Sequence, residues 1–222
     1  MRRQSVQTSV IWNNHPELSG KHAFLGGSNY HWLGDDDEKL IKRYQSMRAK
    51  ELGTDLHEIA ARLISYGFKL KENDTSPIFD ILGLSEDMRE TVVKYVNDAI
   101  DFHMRPEQSL CYSDVCFGTA DAISFDEVTK TLRIHDLKTG VHPCDVRQLM
   151  IYSAIFVLEQ QRYSDISPYD ISYVLRIYQN RDYKEWTPTA DDINTVMEDI
   201  KRKSQIILNI KHKTGGLNNE EL

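Results

Sequence analysis

The feature that most constrains this chain is a pair of alternating apolar segments around one short polar turn. Phe117-Gly-Thr-Ala-Asp121-Ala-Ile-Ser-Phe125 leads into Asp126-Glu-Val-Thr-Lys130, and then into Leu132-Arg-Ile-His-Asp136-Leu-Lys138. Two apolar runs flanking a polar turn predict a β-hairpin. Side chains alternate across a strand, so Leu132, Ile134, Asp136 and Lys138 share one face. On the partner strand Phe117, Thr119, Asp121, Ile123 and Phe125 share a face as well. Asp121 is then brought beside Asp136 on a half-buried sheet, with Lys138 next to both.

Two carboxylates held together in partial burial repel each other and raise a pKa. A divalent cation removes that conflict, and hard oxygen ligands suit Mg²⁺ or Mn²⁺. A lysine alongside is no ligand, but it is placed to stabilise charge developing on a phosphate or to position water. An isolated Asp-x-Lys is common, and its ordinary meaning is an exposed hairpin with scattered charges. Here it is not isolated, and the residues around it change that balance.

Gly118-Thr-Ala-Asp121, then Asp136-Leu-Lys138-Thr-Gly140, then Gln148-x-x-x-Tyr152 resemble motifs of the PD-(D/E)XK nuclease superfamily. The resemblance is to the RecB-like and Cas4-like exonucleases, phage-encoded members included. That branch carries a histidine on an upstream helix, and Gly53-Thr-Asp-Leu-His57 matches its setting. The similarity runs from roughly Phe24 to Phe156, with the motifs in the family's order. It implies a restriction-endonuclease-like α/β core, a small mixed β-sheet flanked by helices. It implies His57, Asp121 and Asp136 as metal ligands for Mg²⁺ or Mn²⁺, with the Leu137 carbonyl as a further one. Asp121, Asp136 and Lys138 take the catalytic roles, and Gln148 and Tyr152 position the DNA strand. Cas4-like members hold an iron–sulfur cluster on four cysteines, most of them after the catalytic core. No cysteine follows Cys144, so that cluster is expected to be absent.

The bulk numbers fit one domain with trimmings. At 222 residues, with 40% hydrophobic and 27% charged, the chain can bury a core. A single nuclease domain is expected over 1–212, its core about 24–178, followed by a disordered tail over 213–222. No apolar run approaches a membrane span and no secretory segment follows Met1-Arg-Arg, so a cytoplasmic protein without a membrane partner is expected. Three cysteines without C-x-x-C spacing fit reduced thiols. The net charge of −7 is awkward for a nucleic-acid binder, because phosphate neutralisation calls for a basic face. It favours transient engagement over tight coating.

Along the chain, Val10-Ile-Trp12 and His22-Ala-Phe-Leu25 read as short extended pieces between turn formers. A helix opens at Glu38 behind Asp35-Asp-Asp37, with Leu40, Ile41, Tyr44 and Met47 as its stripe and Lys39, Lys42, Arg43 and Lys50 outside it, on a solvated face or a DNA-backbone strip. Gly53 ends that helix, and Thr54 or Asp55 caps the next, to about Phe68. On that second helix Leu56, Ile59, Ala60, Leu63 and Ile64 are buried, His57 sits at the stripe's edge and Glu58 points to solvent. Lys69 to Gly83 reads as an irregular connection. Ser85 caps a helix to about His103, and the hairpin region begins at Ser109.

Pro143 leads a helix over Asp145–Gln160 whose apolar residues cover nearly the whole circumference, so Gln148 must find partners inside it. Tyr152 lies one turn on, on the same face. Ile171–Tyr178 is a further strand. Ala190 to Ile210 forms the last helix, with Ile193, Val196, Met197, Ile200, Ile207 and Leu208 facing inward.

The chemistry expected is metal-dependent hydrolysis of DNA phosphodiesters, an exonuclease of recombination, repair or phage DNA processing by resemblance. DNA is the expected partner, with a single-strand annealing or other recombination protein as a companion. One alternative is a catalytically idle nuclease-fold module for DNA binding or assembly. Another is a Mg²⁺ enzyme acting on a phosphorylated small molecule. That one rests on Gly26-Gly27-Ser28, which lacks the lysine of a P-loop.

Overall fold

The computed structural model describes residues 23–25, 27–71, 79, 82–140 and 144–215. The chain divides into two compact units, Met1–Arg48 and Ala49–Leu222. In the first, a 3-10 turn over Gly27–Gly34 precedes the start of helix α1 (Asp37–Ser65). Lys39 and Arg43 reach Asp35 at 2.9 and 2.8 Å, and Lys42 reaches Glu38 at 2.6 Å. Three of the four cations outside the stripe are thus paired with acids, Lys39 and Arg43 with an enclosed Asp35 carboxylate and Lys42 with the exposed Glu38. Gly27 and Ser28 belong to the 3-10 turn, whereas Gly26 and the expected pieces at Val10–Trp12 and His22 lie outside the described residues.

All the expected motif residues belong to the second unit. There α1 runs unbroken through Gly53, which corrects the expected helix end and the Thr54 or Asp55 cap. The reason is packing. Gly53 is buried, and a Cβ built on it would stand 2.7 Å from Thr139 Oγ1. The missing side chain lets the helix touch the segment after Lys138, and that contact outweighs the helix propensity lost, ~1 kcal/mol relative to alanine. Beyond it Leu56, Ala60 and Ile64 are buried, and Glu58 points outward to Arg62 at 2.5 Å, both as expected.

Helix α2 (Glu86–Asp101) begins where Ser85 predicts, the serine side chain accepting the Met88 amide. Five strands come next: β1 (Arg105–Ser113), β2 (Cys116–Asp126), β3 (Thr131–Leu137), β4 (Ser172–Gln179) and β5 (Asp182–Trp186). They lie in the order β1-β2-β3-β4-β5, antiparallel except for the parallel β3–β4 pair. Helix α3 (Arg147–Gln160) makes the crossover that a parallel pair requires. Helix α4 (Ala190–Gly215) closes the chain. The architecture is α/β, a five-stranded mixed sheet flanked by helices.

Two cores cover the sheet. On one side Leu132, Ile134, Leu175 and Ile177 pack with Leu149, Ile155 and Leu158 of α3 and Ile193, Met197 and Ile200 of α4. On the other, Ala122, Leu137 and Tyr178 pack with Leu56, Ala60 and Ile64 of α1 and Val92, Tyr95 and Val96 of α2.

Several expected boundaries shift. β1 starts at Arg105, four residues before the expected hairpin region, and takes in Pro106. This is tolerable because β1 is an edge strand that needs no donor on its open side. β5 was not expected; Asn180 and Arg181, at φ 55° and 66°, close a two-residue turn that pairs Gln179 with Asp182. α3 begins at Arg147 because the Asp145 side chain takes the Arg147 amide at 2.9 Å instead of joining the helix. Ile151, expected to be buried, is 41% exposed. On α4 the buried positions are 193, 197, 200 and 204, a spacing that carries the inner stripe to Leu208 and leaves Ile207 47% exposed. That helix reaches Gly215, past the expected start of the tail at Lys213, and 216–222 lie outside the described residues, as does Pro143.

The contact at Gly53 generates a sign reversal. Gly53→Ala should destabilise the protein by about 1–3 kcal/mol despite its better helix propensity, because the added methyl meets Thr139 Oγ1 and the stiff β-branched side chain must leave its preferred rotamer to make room. In a Thr139→Ala background the same change should stabilise by about 1 kcal/mol. Thermal or denaturant unfolding of the four proteins measures both, and destabilisation of equal size in the two backgrounds would sink this account of the glycine.

Candidate functional site

The parallel β3–β4 pair ends at Leu137 and Tyr178, and the candidate site forms beyond the carboxyl end of β3, where crevices of α/β sheets open. β2 and β3 pair with Ala122 opposite His135, so one step further Asp121 stands opposite Asp136. The expected sharing of one face by Phe117, Thr119, Asp121, Ile123 and Phe125 does not hold, however. Gly118 and Ala120 face α3, as do Ile123 and Phe125, while Phe117 is 69% exposed. The two-residue alternation therefore breaks between Ala120 and Ile123. The break stands opposite Glu107 of β1, whose φ of 47° is left-handed and flanked by regular pairs at Pro106–Ala122 and Gln108–Ala120. Asp121 sits at this break, and so can serve α1 on one side of the sheet and Asp136 on the other.

The contacts reflect that placement. Asp121 Oδ2 lies 3.2 Å from His57 Nδ1 of α1 and accepts the Leu137 amide at 3.0 Å. Lys138 Nζ donates to Asp136 Oδ1 at 3.0 Å and to Gln148 Oε1 at 3.0 Å. Gln148 Nε2 in turn donates to the Tyr152 hydroxyl at 3.2 Å. Tyr152 is seated on Gly118, where a Cβ would come within 2.8 Å of its Cε1. Gln148 thus reaches Asp136 through Lys138, while Tyr152 touches Gln148 and, like Met150 and Phe156, packs partly buried against the core. Gln148 itself is exposed, contrary to the expected buried amide, because it lies in the first turn of α3.

Asp136 is 2% exposed, and its Oδ2 makes no hydrogen bond. The Lys138 ammonium lies 2.9 Å from that oxygen but off hydrogen-bond geometry. Burial, then the charge of Asp121, pushes the Asp136 carboxyl up to about 6, against the opposing pull of Lys138 and His57. Burial disfavours the charged form of His57, but its hydrogen bond to Asp121 and the charges of Asp121, Asp136 and Glu107 outweigh it and raise its pKa. Glu107 is raised by burial and then by Asp121. Asp136, Glu107 and His57 are thus all displaced toward holding protons, the signature of a negative site short of positive charge.

No family model, curated protein or solved structure matches this chain. The site stands on its geometry alone. Ligand atoms of His57, Glu107 and Asp121 lie within 4.8 Å of one another, a span that one cation can close. Imidazole and carboxylate donors suit a divalent ion, and the buried Asp136 carboxylate stands beside them with Lys138 as its partner. Asp136 is not among the tight three. Its oxygens lie on Lys138, so of the expected ligands the structure groups His57 with Asp121 and holds Asp136 on the lysine side. Leu137 offers the site its amide, through Asp121.

Glu107 was missed. Nothing in its residue type signals the left-handed backbone that aims it, since glutamate has no preference for that region. The strained φ is itself informative, because such residues persist where the surroundings over-determine them, often at functional sites.

The raised Asp136 carboxyl predicts a stability effect. Its folded pKa stands above the unfolded value of 3.8, so the stability it contributes is present below about pH 4 and is lost as pH rises through about 6. Asp136→Asn should therefore stabilise the metal-free protein at pH 7–8 by on the order of 1–3 kcal/mol, with the difference vanishing near pH 4. Unfolding in EDTA across this range measures it. An asparagine variant less stable than its parent at pH 8 would overturn the electrostatic description.

Proposed function

We propose that this protein is a metal-dependent deoxyribonuclease that hydrolyses phosphodiester bonds. The observation that carries the proposal is the convergence of His57, Asp121, Asp136 and Lys138, from three separate elements, on one sheet end around the buried Asp136 carboxylate. The motif resemblance supports the same reading and its exonuclease branch, in recombination, repair or phage DNA processing.

His57, Asp121 and Glu107 would hold a Mg²⁺ or Mn²⁺ ion, with Asp136 completing the acidic wall. When bound, such an ion lowers the pKa of its water and neutralises charge on the scissile phosphate. Asp121 is fixed for this work by the Leu137 amide, so its carboxylate does not have to be ordered when substrate arrives. Lys138 Nζ is held between Asp136 and Gln148, where it can donate to a phosphate oxygen as charge develops. Gln148 positions that ammonium, and Tyr152 positions Gln148.

The net charge of −7 favours a second reading, an idle nuclease-fold module for binding or assembly. Incubation with linear and circular DNA, with and without Mg²⁺ or Mn²⁺, separates the two. Lys138→Ala leaves the proposed ligands in place, so metal binding should persist while hydrolysis falls by on the order of 10²–10³. Glu107→Gln should instead weaken metal binding and activity together. Cleavage by Lys138→Ala at the parent rate would refute the mechanism, and a parent without metal-dependent cleavage would leave the binding module.

A further inference from the structure

A cavity of about 500 Å³ opens directly beside the acidic cluster, between the second half of α1 and β1, and His57 and Glu107 form part of its wall. That volume is inside the ~300–1,000 Å³ span of small-ligand sites. Ala61 and Pro106 give it apolar surface, and Arg62 and Tyr66 stand on the α1 side. Tyr66 is 84% exposed at the turn that ends α1. A ring so exposed contributes little to the core and stands available to a ligand at this rim. Arg62 is also exposed, its guanidinium resting on Glu58 at 2.5 Å, an exposed pair of small net strength that a phosphate can replace.

We infer that this cavity receives an unpaired nucleobase of the DNA strand being cut, stacked against Tyr66. The inference rests on the nuclease reading and adds the substrate class: a single-stranded segment or frayed end. Its physical basis is continuity. The cavity shares His57 and Glu107 with the proposed metal site, so a strand whose phosphate lies on those ligands can place a neighbouring nucleoside along α1. A base within a duplex is stacked and paired on both sides and cannot present its face to Tyr66. An unpaired base can, and aromatic stacking accepts any of the four. The apolar wall of Ala61 and Pro106 suits the other face of the base, and Arg62 suits the phosphate beyond it.

The test uses the full chain, Mg²⁺ and short end-labelled single-stranded deoxyoligonucleotides, intact or carrying one abasic residue scanned position by position. Tyr66→Ala should raise KM for intact DNA by about 5- to 100-fold, with kcat changed only a few-fold. Tyr66→Phe should behave like the parent. One abasic position should bring the parent to the level of Tyr66→Ala, and on that substrate the substitution should add nothing. An unchanged KM for Tyr66→Ala overturns the inference while leaving the nuclease intact. So does a loss that is equally large on every abasic substrate. If the parent does not cleave, the nuclease reading falls, and fluorescence anisotropy with the same oligonucleotides decides this site separately. Binding that depends on Tyr66 and on one base upholds it, and binding indifferent to either, or none, overturns it.

Discussion

The structure turns on two carboxylates, Asp121 and Asp136, placed opposite each other at the site end of the β2–β3 pair. Like charges at a half-buried sheet end are unfavourable, and the surrounding residues are best understood by what they do about it. Leu137 gives Asp121 an amide, His57 gives it an imidazole, and Lys138 gives Asp136 an ammonium. Even with these partners, burial and then the charge of Asp121 hold the Asp136 carboxyl above its usual range. Two close approaches make even this arrangement possible. Gly53 lets α1 reach Thr139, and so brings His57 to the strand end. Gly118 lets Tyr152 lie against β2, and so steadies Gln148 and through it Lys138. Neither glycine has a positive φ; both are required by space.

Much of this was legible in the sequence, for identifiable reasons. Strand alternation and a polar turn pointed to β2, β3 and the pairing of Asp121 with Asp136. The edge position of His57 on an amphipathic stripe aimed it toward the sheet. What failed depended on contacts far apart in the chain. Gly53 looks like a helix end because local propensity says so, and only Thr139, 86 residues away, makes it a helix interior. The break in β2 depends on Glu107 in the neighbouring strand, so no pattern within 117–125 could announce it. The exposed place of Gln148 depended on where α3 begins, and Asp145 stays outside that helix with its side chain accepting the Arg147 amide. The α/β architecture was legible. No helix of the described residues is long and apolar enough to cross a membrane.

The acidic balance has a structural counterpart. On α4, Lys201, Arg202 and Lys203 are engaged with Glu198 and Asp199, and Lys211 reaches Asp114. On the far side of the sheet Lys94 meets Asp182, and Arg181 meets Glu86 and Asp87. Cations distributed in this way do not make a broad phosphate-neutralising face. A DNA-handling role for this chain therefore concentrates recognition at the site itself, where a divalent ion would supply the missing charge and an aromatic rim the contact area. Exposed ion pairs of this kind are worth ~0–1 kcal/mol each, so they yield to a phosphate locally without having held a duplex at a distance.

The residue behind Asp136 shows why the site's charge is left unmet. His135 points to the opposite face of β3 and is fully buried, with Nδ1 3.2 Å from the Tyr178 hydroxyl and Nε2 without a hydrogen bond. Burial, then Arg176 and Arg133, drives its pKa down to about 3. It is therefore neutral wherever Asp136 is ionised. A protonated histidine there would place a fixed positive charge one residue from the carboxylate and relieve it permanently. Arg176 is held away from that duty by Glu185 and Asp98, and stacks on Phe102 and Tyr183 instead. The Tyr178 hydroxyl donates to Asp98, completing a network on the α2 side that needs nothing from the acids. Its backbone carbonyl meanwhile takes the Lys138 amide at 2.9 Å, fixing the strand end where the lysine departs. The layer behind the sheet thus supplies position without supplying charge. Among the described residues, the cation paired with Asp136 is a lysine whose side chain is 34% exposed and tethered to both Asp136 and Gln148. That lysine can turn toward an incoming phosphate only if something else then balances Asp136, a demand that the proposed divalent ion would meet.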